Sequence, residues 1–245
     1  MRSLGLWLRR LKGNNKLKEP MMNHIVAISG GKDSVAMALM LDRGFPHINF
    51  IYAITPTGNE LPEMKEHWRY IEQLLHHKLL DVGDGLTLEK LIMEHGMLPN
   101  WRSRFCTRII KIQRFQKWVS DHAPAIVYVG LRADEENREG GIYDNIDGVN
   151  VSFPLREAGW DKARVIEYLN YNDVKIPRRT DCAICFFQTV WEWWLLWRDY
   201  PEMYQQGIDW EDHVSTIRGK RCTFRNEKKD SWGTSLRELL SLIHI

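Results

Sequence analysis

The sequence predicts an α/β fold: a mostly parallel sheet with helices on both faces, followed by a helical C-terminal subdomain. Two observations carry this. Short apolar runs alternate with longer stretches of helical spacing over the first two thirds of the chain, which is the pattern of strand–helix–strand units. From Asp161 onward the apolar spacing is helical alone.

The run 24–28 (HIVAI) reads as the first strand, and 35–40 (VAMALM) as the start of a helix behind a short glycine loop. Residues 48–54 (INFIYAI) read as a second buried strand, and Pro62 opens a helix through position 78 with Met64, Trp68, Ile71 and Leu75 on one face. A short apolar piece at Leu79 and Leu80, a helix over 86–95 and another over 107–122 follow. The run 125–131 (AIVYVGL) is a further strand. Helices are then expected over 162–171, 184–198, 202–213 and 235–243. This gives three regions: a basic leader 1–22, an α/β domain 23–160 and a helical subdomain 161–245. Trp191, Trp193, Trp194 and Trp197 form an aromatic helix with two readings, stacking on bases or an adenine ring and core packing. Trp191, Trp194 and Trp197 recur every third residue, the spacing of a core stripe, and core packing is the expected one.

Composition bounds the function. The 245 residues suffice for one large domain, and no run approaches the roughly 20 apolar residues of a membrane helix. Net charge is +2, but six basic residues and Glu19 fall within positions 1–20, so the body of the chain is slightly acidic and no general nucleic-acid-coating surface is indicated. Four cysteines, two of them in a CxxC pair, suit a reducing cytoplasm better than a disulfide framework.

The most specific segment is the loop Ser29-Gly30-Gly31-Lys32-Asp33-Ser34. Its glycines let the backbone turn tightly, and the following helix directs unpaired amides and its positive dipole end at an anion. The spacing is not the GxxxxGK[ST] of γ-phosphate-transferring P-loops. This hexapeptide resembles the PP-loop of the ATP pyrophosphatase superfamily, with the adenine nucleotide alpha hydrolase-like fold. Thr57-Gly58-Asn59-Glu60-Leu61-Pro62-Glu63, Arg104-Phe105-Cys106-Thr107 with Lys111, and Gly130-Leu131-Arg132 through Glu135 to Arg138 resemble, in the same order, segments of the phosphoadenylylsulfate (PAPS) reductase family. Pro56 stands where that family has an aspartate. The resemblance spans about 23–177. It implies ATP and Mg²⁺ as ligands, with nucleotide held by Ser29, Gly30, Gly31, Lys32, Asp33, Ser34, Thr57, Gly58, Glu60 and Gly130. It also implies Lys32, Lys111, Arg132 and Arg138 as the cations that offset charge on a leaving pyrophosphate. The plain alternative for Arg132 and Arg138 is pairing with Glu135 and Glu136 on a solvated turn.

Cys182 and Cys185, with Cys106 and Cys222, supply enough thiolates for a four-ligand site. Three readings stand: a [4Fe-4S] cluster, as some members of the resembled family hold; Zn²⁺; or cysteines without metal. The Glu-Cys-Gly terminus of thiol-dependent PAPS reductases has no counterpart here. The expected activity is α,β-cleavage of ATP to adenylylate an acceptor, with sulfur transfer to nucleic acid as its extension. The alternatives are an adenylylsulfate or PAPS reductase using a cluster and an external thiol, and a non-catalytic nucleotide-binding subunit of a nucleic-acid modification or defence complex. Expected partners are an adenine nucleotide and a nucleic-acid or protein acceptor, with no membrane, in a cytoplasmic homodimer or larger complex.

Overall fold

Five strands pair in parallel, β1 (Asn23–Ala27), β2 (Phe50–Ile54), β3 (Leu79–Asp81), β4 (Ala125–Tyr128) and β5 (Val149–Ser152), in the order β3-β2-β1-β4-β5. His24 stands opposite Phe50 on one side and Ile126 on the other. The computed structural model describes residues 22–135, 138, 146–225 and 233–243, so the basic leader falls outside the described residues except for Met22, as does Glu136. The helices are α1 (Lys32–Gly44), α2 (Pro62–Leu75), α3 (Leu88–His95), α4 (Arg114–Asp121), α5 (Pro154–Glu157), α6 (Lys162–Tyr171), α7 (Val190–Asp199), α8 (Pro201–Arg218) and α9 (Leu236–Ile243), with a π-helix at Thr107–Gln113. Strand β5 is absent from the sequence expectation, because Val-Asn-Val-Ser is too short and too polar to stand out as an apolar run.

Chain contacts divide the described residues into two compact units. The first takes its residues from Met1–Thr55, Pro62–Val82 and Arg114–Thr180, and holds the whole sheet. Its core joins Val26 and Tyr128 of the sheet to Val35, Met37, Leu39 and Leu41 of α1. Val165 and Leu169 of α6 pack there too, so α6 goes with the sheet rather than with the helices that follow residue 180. Asp161 caps α6 by accepting from the Arg164 N–H at 2.8 Å.

The second unit joins Pro56–Leu61, Gly83–Gln113 and Asp181–Ile245. Its core gathers Leu91 and Ile92 of α3, Ile110 of the π-helix, Trp193 and Leu196 of α7, and Tyr204, Ile208 and Trp210 of α8. Helix α7 begins with a capping box between Thr189 and Glu192. The tryptophan stripe is core only in part: Trp197 packs against it, Trp191 is 52% exposed, and the fully buried tryptophan is Trp193. The inward face of α7 is the Trp193 and Leu196 pair, one position out of phase with the expected stripe. Among the described residues no helix is long and apolar enough to cross a membrane.

Candidate functional site

The glycine loop, residues 29–34, leaves the end of β1, and Gly130, Leu131 and Arg132 leave the end of β4. The connections from β1 and β4 run to opposite sides of the sheet order, so both segments lie at its topological switch point, where ligands of open parallel sheets bind. Hydroxyls close the loop. Ser34 Oγ donates to the Gly31 carbonyl at 3.0 Å and lies 3.0 Å from Ser29 Oγ, and Ser29 Oγ accepts from the Gly31 N–H at 3.3 Å. Gly30 takes a φ of +81°, and a Cβ there would collide with Met64 Cε. Its carbonyl accepts from His67 Nε2 at 2.9 Å. A carbonyl only accepts, so that nitrogen carries the proton, and burial, which lowers the His67 pKa, keeps the ring neutral.

Asp33 organises the cations. Lys32 Nζ and Arg132 Nη1 both reach its Oδ2, at 3.1 and 2.8 Å, while Oδ1 is buried with no hydrogen-bond partner. Gly130 packs against the backbone of Asp33 and Ser34, which brings the β4 segment to the loop. The two candidate arginines of that segment separate. The Arg132 side chain is 12% exposed and also pairs with Asp134, whereas Arg138 is 65% exposed and pairs with Glu135 at 2.8 Å. Arg132 also lies 3.9 Å from Glu135, so the pairing in the plain alternative holds for both arginines, but its solvated setting describes Arg138 and not Arg132.

Sequence reading missed Arg156, which holds this segment in place. Its Nη2 donates to the carbonyls of Glu135 and Arg138, each at 2.9 Å, and its plane covers Phe153 at 5.2 Å. No local motif marks it, because its partners are backbone carbonyls eighteen and twenty-one residues away.

Thr57, Gly58 and Glu60 belong to the second unit, not to the unit of the glycine loop. There they brace the CxxC segment. Glu60 Oε1 accepts from both the N–H and the hydroxyl of Thr57, at 2.6 Å each. Asn59 accepts the Ala183 N–H at 2.6 Å through its carbonyl and donates Nδ2 to the Ile184 carbonyl at 2.9 Å. Thr57 Oγ1 lies 3.4 Å from Cys182 Sγ.

A cavity of about 170 Å³ opens in this unit, lined by the thiols of Cys106, Cys182 and Cys185, with Arg104, Lys111 and Phe187 also on its wall. Lys111 is thus placed with the thiols, and it is carried by the π-helix, a form that recurs at functional sites. Burial pushes Cys182 up, with Lys111 and the Thr57 hydroxyl opposing, and pushes Cys185 up to about 11. Cys222 does not line the cavity; it packs against the core, with its N–H and carbonyl both on the Ser215 hydroxyl. The four-cysteine ligand set is therefore not assembled. Among the described residues no three His, Cys, Asp or Glu side chains converge on a single metal ion.

Comparison with known proteins gives the fold an independent footing. A search of curated proteins returns no match. The structure is similar to that of phosphoadenylyl-sulfate (PAPS) reductase from Candida auris in its phosphate complex, with a TM-score of 0.51 and 16% identity over 71% of this chain and 80% of that one. It is also similar to the U34-tRNA thiolase NcsA from Methanococcus maripaludis with its [4Fe-4S] cluster, with a TM-score of 0.50 and 15% identity over 89% of this chain and 78% of that one. At such identities the likeness is one of fold, a parallel sheet wrapped by helices, as expected from the sequence. The family model described as the phosphoadenosine phosphosulfate reductase domain matches residues 23–178, and with the glycine loop, the Arg-x-Cys-Thr segment and the β4 segment all inside that span, the chain belongs to this family.

Proposed function

We propose that the protein binds ATP at residues 29–34 and cleaves it between the α and β phosphates to adenylylate an acceptor. Sulfide from an external donor, held at the second unit's thiols, then attacks the activated carbon of the acceptor, the C–S bond forming as the C–O bond breaks and AMP leaves. The observation that carries the nucleotide half is the closed loop at the switch point with Lys32 and Arg132 gathered on Asp33. An acceptor oxygen attacks the α-phosphorus, the α,β P–O bond breaks, and its electron pair leaves with pyrophosphate. Lys32, Arg132 and the first amides of α1 offset the charge that builds on that leaving group. The unpartnered, buried Asp33 Oδ1 is a hard oxygen beside the phosphate cradle, which fits Mg²⁺.

The thiol half rests on Cys106, Cys182 and Cys185 around one cavity. Three thiols that do not converge on a single ion, yet share a space of about 170 Å³, fit an inorganic cluster better than Zn²⁺. The fold neighbour that is a tRNA thiolase holds a [4Fe-4S] cluster. Such a cluster, when bound, supplies sulfur-handling or electron-transfer chemistry. Asn59 fixes the CxxC backbone, the Thr57 hydroxyl lies against the Cys182 thiol, and Lys111 offsets thiolate charge.

Incubation of the purified chain with Mg²⁺, [α-³²P]ATP and total cellular nucleic acid as acceptor, with pyrophosphate measured enzymatically, tests the reading. AMP-level products with equimolar pyrophosphate are expected, and Lys32→Ala should lower their formation by at least the ~10²-fold typical of removing one transition-state charge interaction. Release of ADP and inorganic phosphate, or full activity in Lys32→Ala, would overturn it.

A further inference from the structure

Three large aromatic side chains of the second unit stand in solvent: Trp101 at 49%, Phe187 at 59% and Trp191 at 52% exposure. Large rings half in water and gathered in one unit are the kind of exposed apolar surface that marks a binding site. Two of them lie beneath a flat cation. Arg102 covers Trp101 at 4.6 Å, and Arg104 covers Phe187 at 5.3 Å. Trp191 stacks on Trp194 at 4.4 Å and 19°, and Arg198 covers Trp194 at 4.8 Å.

Charge runs the same way. Positions 96–113 contain Arg102, Arg104, Arg108 and Lys111 and no Asp or Glu. Phe187, Arg104 and Lys111 line the thiol cavity itself, where Asp181 is the one carboxylate among the described residues of the wall. Phe187 and Arg104 thus share a rim with the thiols, and Trp101 and Trp191 lie on the chain within four residues of the lining positions Arg104 and Phe187.

A ligand that matches flat rings, guanidinium planes and surplus positive charge must offer planar groups with open faces and a regular run of negative charge. Single-stranded nucleic acid does; a duplex hides its base faces in its own stack. We propose that the second unit binds single-stranded nucleic acid at this rim, with one unstacked base on Phe187 in the place the Arg104 guanidinium now takes, further bases on Trp101 and Trp191, and phosphates paired by Arg102 and Lys111. This rests on the reading above of an acceptor that receives sulfur, and it identifies that acceptor as nucleic acid.

Fluorescence anisotropy of the full chain with labelled oligothymidine, oligouridine and a DNA duplex, without ATP, tests it. Both or either single strand should bind in preference to duplex, and the tighter of the two identifies the natural polymer as DNA or RNA. Phe187→Ala should weaken binding about 5- to 150-fold, the worth of one stacked base, while Phe187→Trp retains it. Arg102→Ala with Lys111→Ala should lower the slope of log Kd on log salt by about 0.7 for each phosphate left unpaired. Duplex binding as tight as single-strand binding, or unchanged affinity in Phe187→Ala, would overturn the proposal. A chain that forms AMP and pyrophosphate but binds neither strand would sink this inference and leave the ATP reading standing.

Discussion

Glu211 on α8 is 3% exposed, and its two oxygens accept from the Phe224 and Leu236 N–H groups at 2.9 and 2.8 Å. It ties the chain after α8, and the start of α9, to the core of the second unit. Burial outweighs those hydrogen bonds and raises its pKa from 4.5 to about 7. Ionising it inside the fold therefore costs about 3 kcal/mol more than ionising it in the unfolded chain. Because the folded value lies above the unfolded one, Glu211's contribution to stability is whole below about pH 4.5 and is lost as pH rises through 7. Glu211→Gln cannot ionise, but it keeps one acceptor oxygen and turns an NH₂ toward the other backbone donor, which costs about 1–3 kcal/mol. The variant should be the less stable chain at about pH 5, and the gap should close or reverse by about pH 8. Burial lowers the pKa of His24 and His67, so their contribution is present above about pH 6.5 and lost as pH falls. That opposite trend is common to both chains and cancels in the difference. Urea denaturation of wild type and variant across this range measures it. Parallel stability curves would refute the reasoning, because they would mean that Glu211 does not change protonation on folding.

Two further predictions concern the thiol unit. Gly58 takes a φ of +73°, and a Cβ there would lie 2.6 Å from Thr87 Cγ2, the residue that caps α3; Gly58→Ala should cost about 2–3 kcal/mol from left-handed strain and the disturbed cap, read as a lowered urea midpoint, and an unchanged midpoint would count against this geometry. In anaerobically purified protein, Cys106→Ser, Cys182→Ser and Cys185→Ser should each deplete iron and sulfide while Cys222→Ser keeps them; equal depletion in all four, or zinc in place of iron, would reject the three-thiol cavity as a cluster site.

Legibility in the sequence followed the range of the interactions. Residues 29–34 announce themselves because a tight turn, an anion-facing helix start and a lysine must occupy consecutive positions. The parallel sheet was legible for the same reason, since each inner strand is buried on both faces and so reads as an unbroken apolar run. The segment 57–60 is legible through its family resemblance, but its bracing of the CxxC segment is not: Asn59 bonds to Ala183 and Ile184, and Thr57, both of whose donors go to Glu60, lies 3.4 Å from the Cys182 thiol. Only the fold brings positions 125 residues apart together. Arg156 and His67 escaped notice because each acts on a backbone carbonyl, which leaves no complementary side chain to detect. Cys222 entered the ligand set by counting thiols, and the fold turned it against the core instead.

The arrangement of cations around Asp33 bears on which of them can assist the leaving pyrophosphate. Electrostatic assistance is effective when the charge is already in place, because no reorganisation is then needed as the bond breaks. Arg132 meets that condition: Asp33 and Asp134 hold its guanidinium, and Arg156 holds the segment that carries it. Arg138 does not, since its ion pair is with a neighbour on its own turn and most of its side chain is in water, where an ion pair is worth little. Lys32 lies between these cases, 36% exposed and tied to Asp33 by a single ion pair. The same Asp33 oxygen that orders Lys32 and Arg132 also neutralises part of their charge. Its second oxygen is left without a partner, so a cation there would draw the carboxylate's charge toward itself and leave more of the Lys32 and Arg132 charge for phosphate oxygens. Mg²⁺ would then act at the loop partly by freeing cations that the fold has already aimed, and the proposed charge stabilisation falls to Lys32 and Arg132 rather than to Arg138.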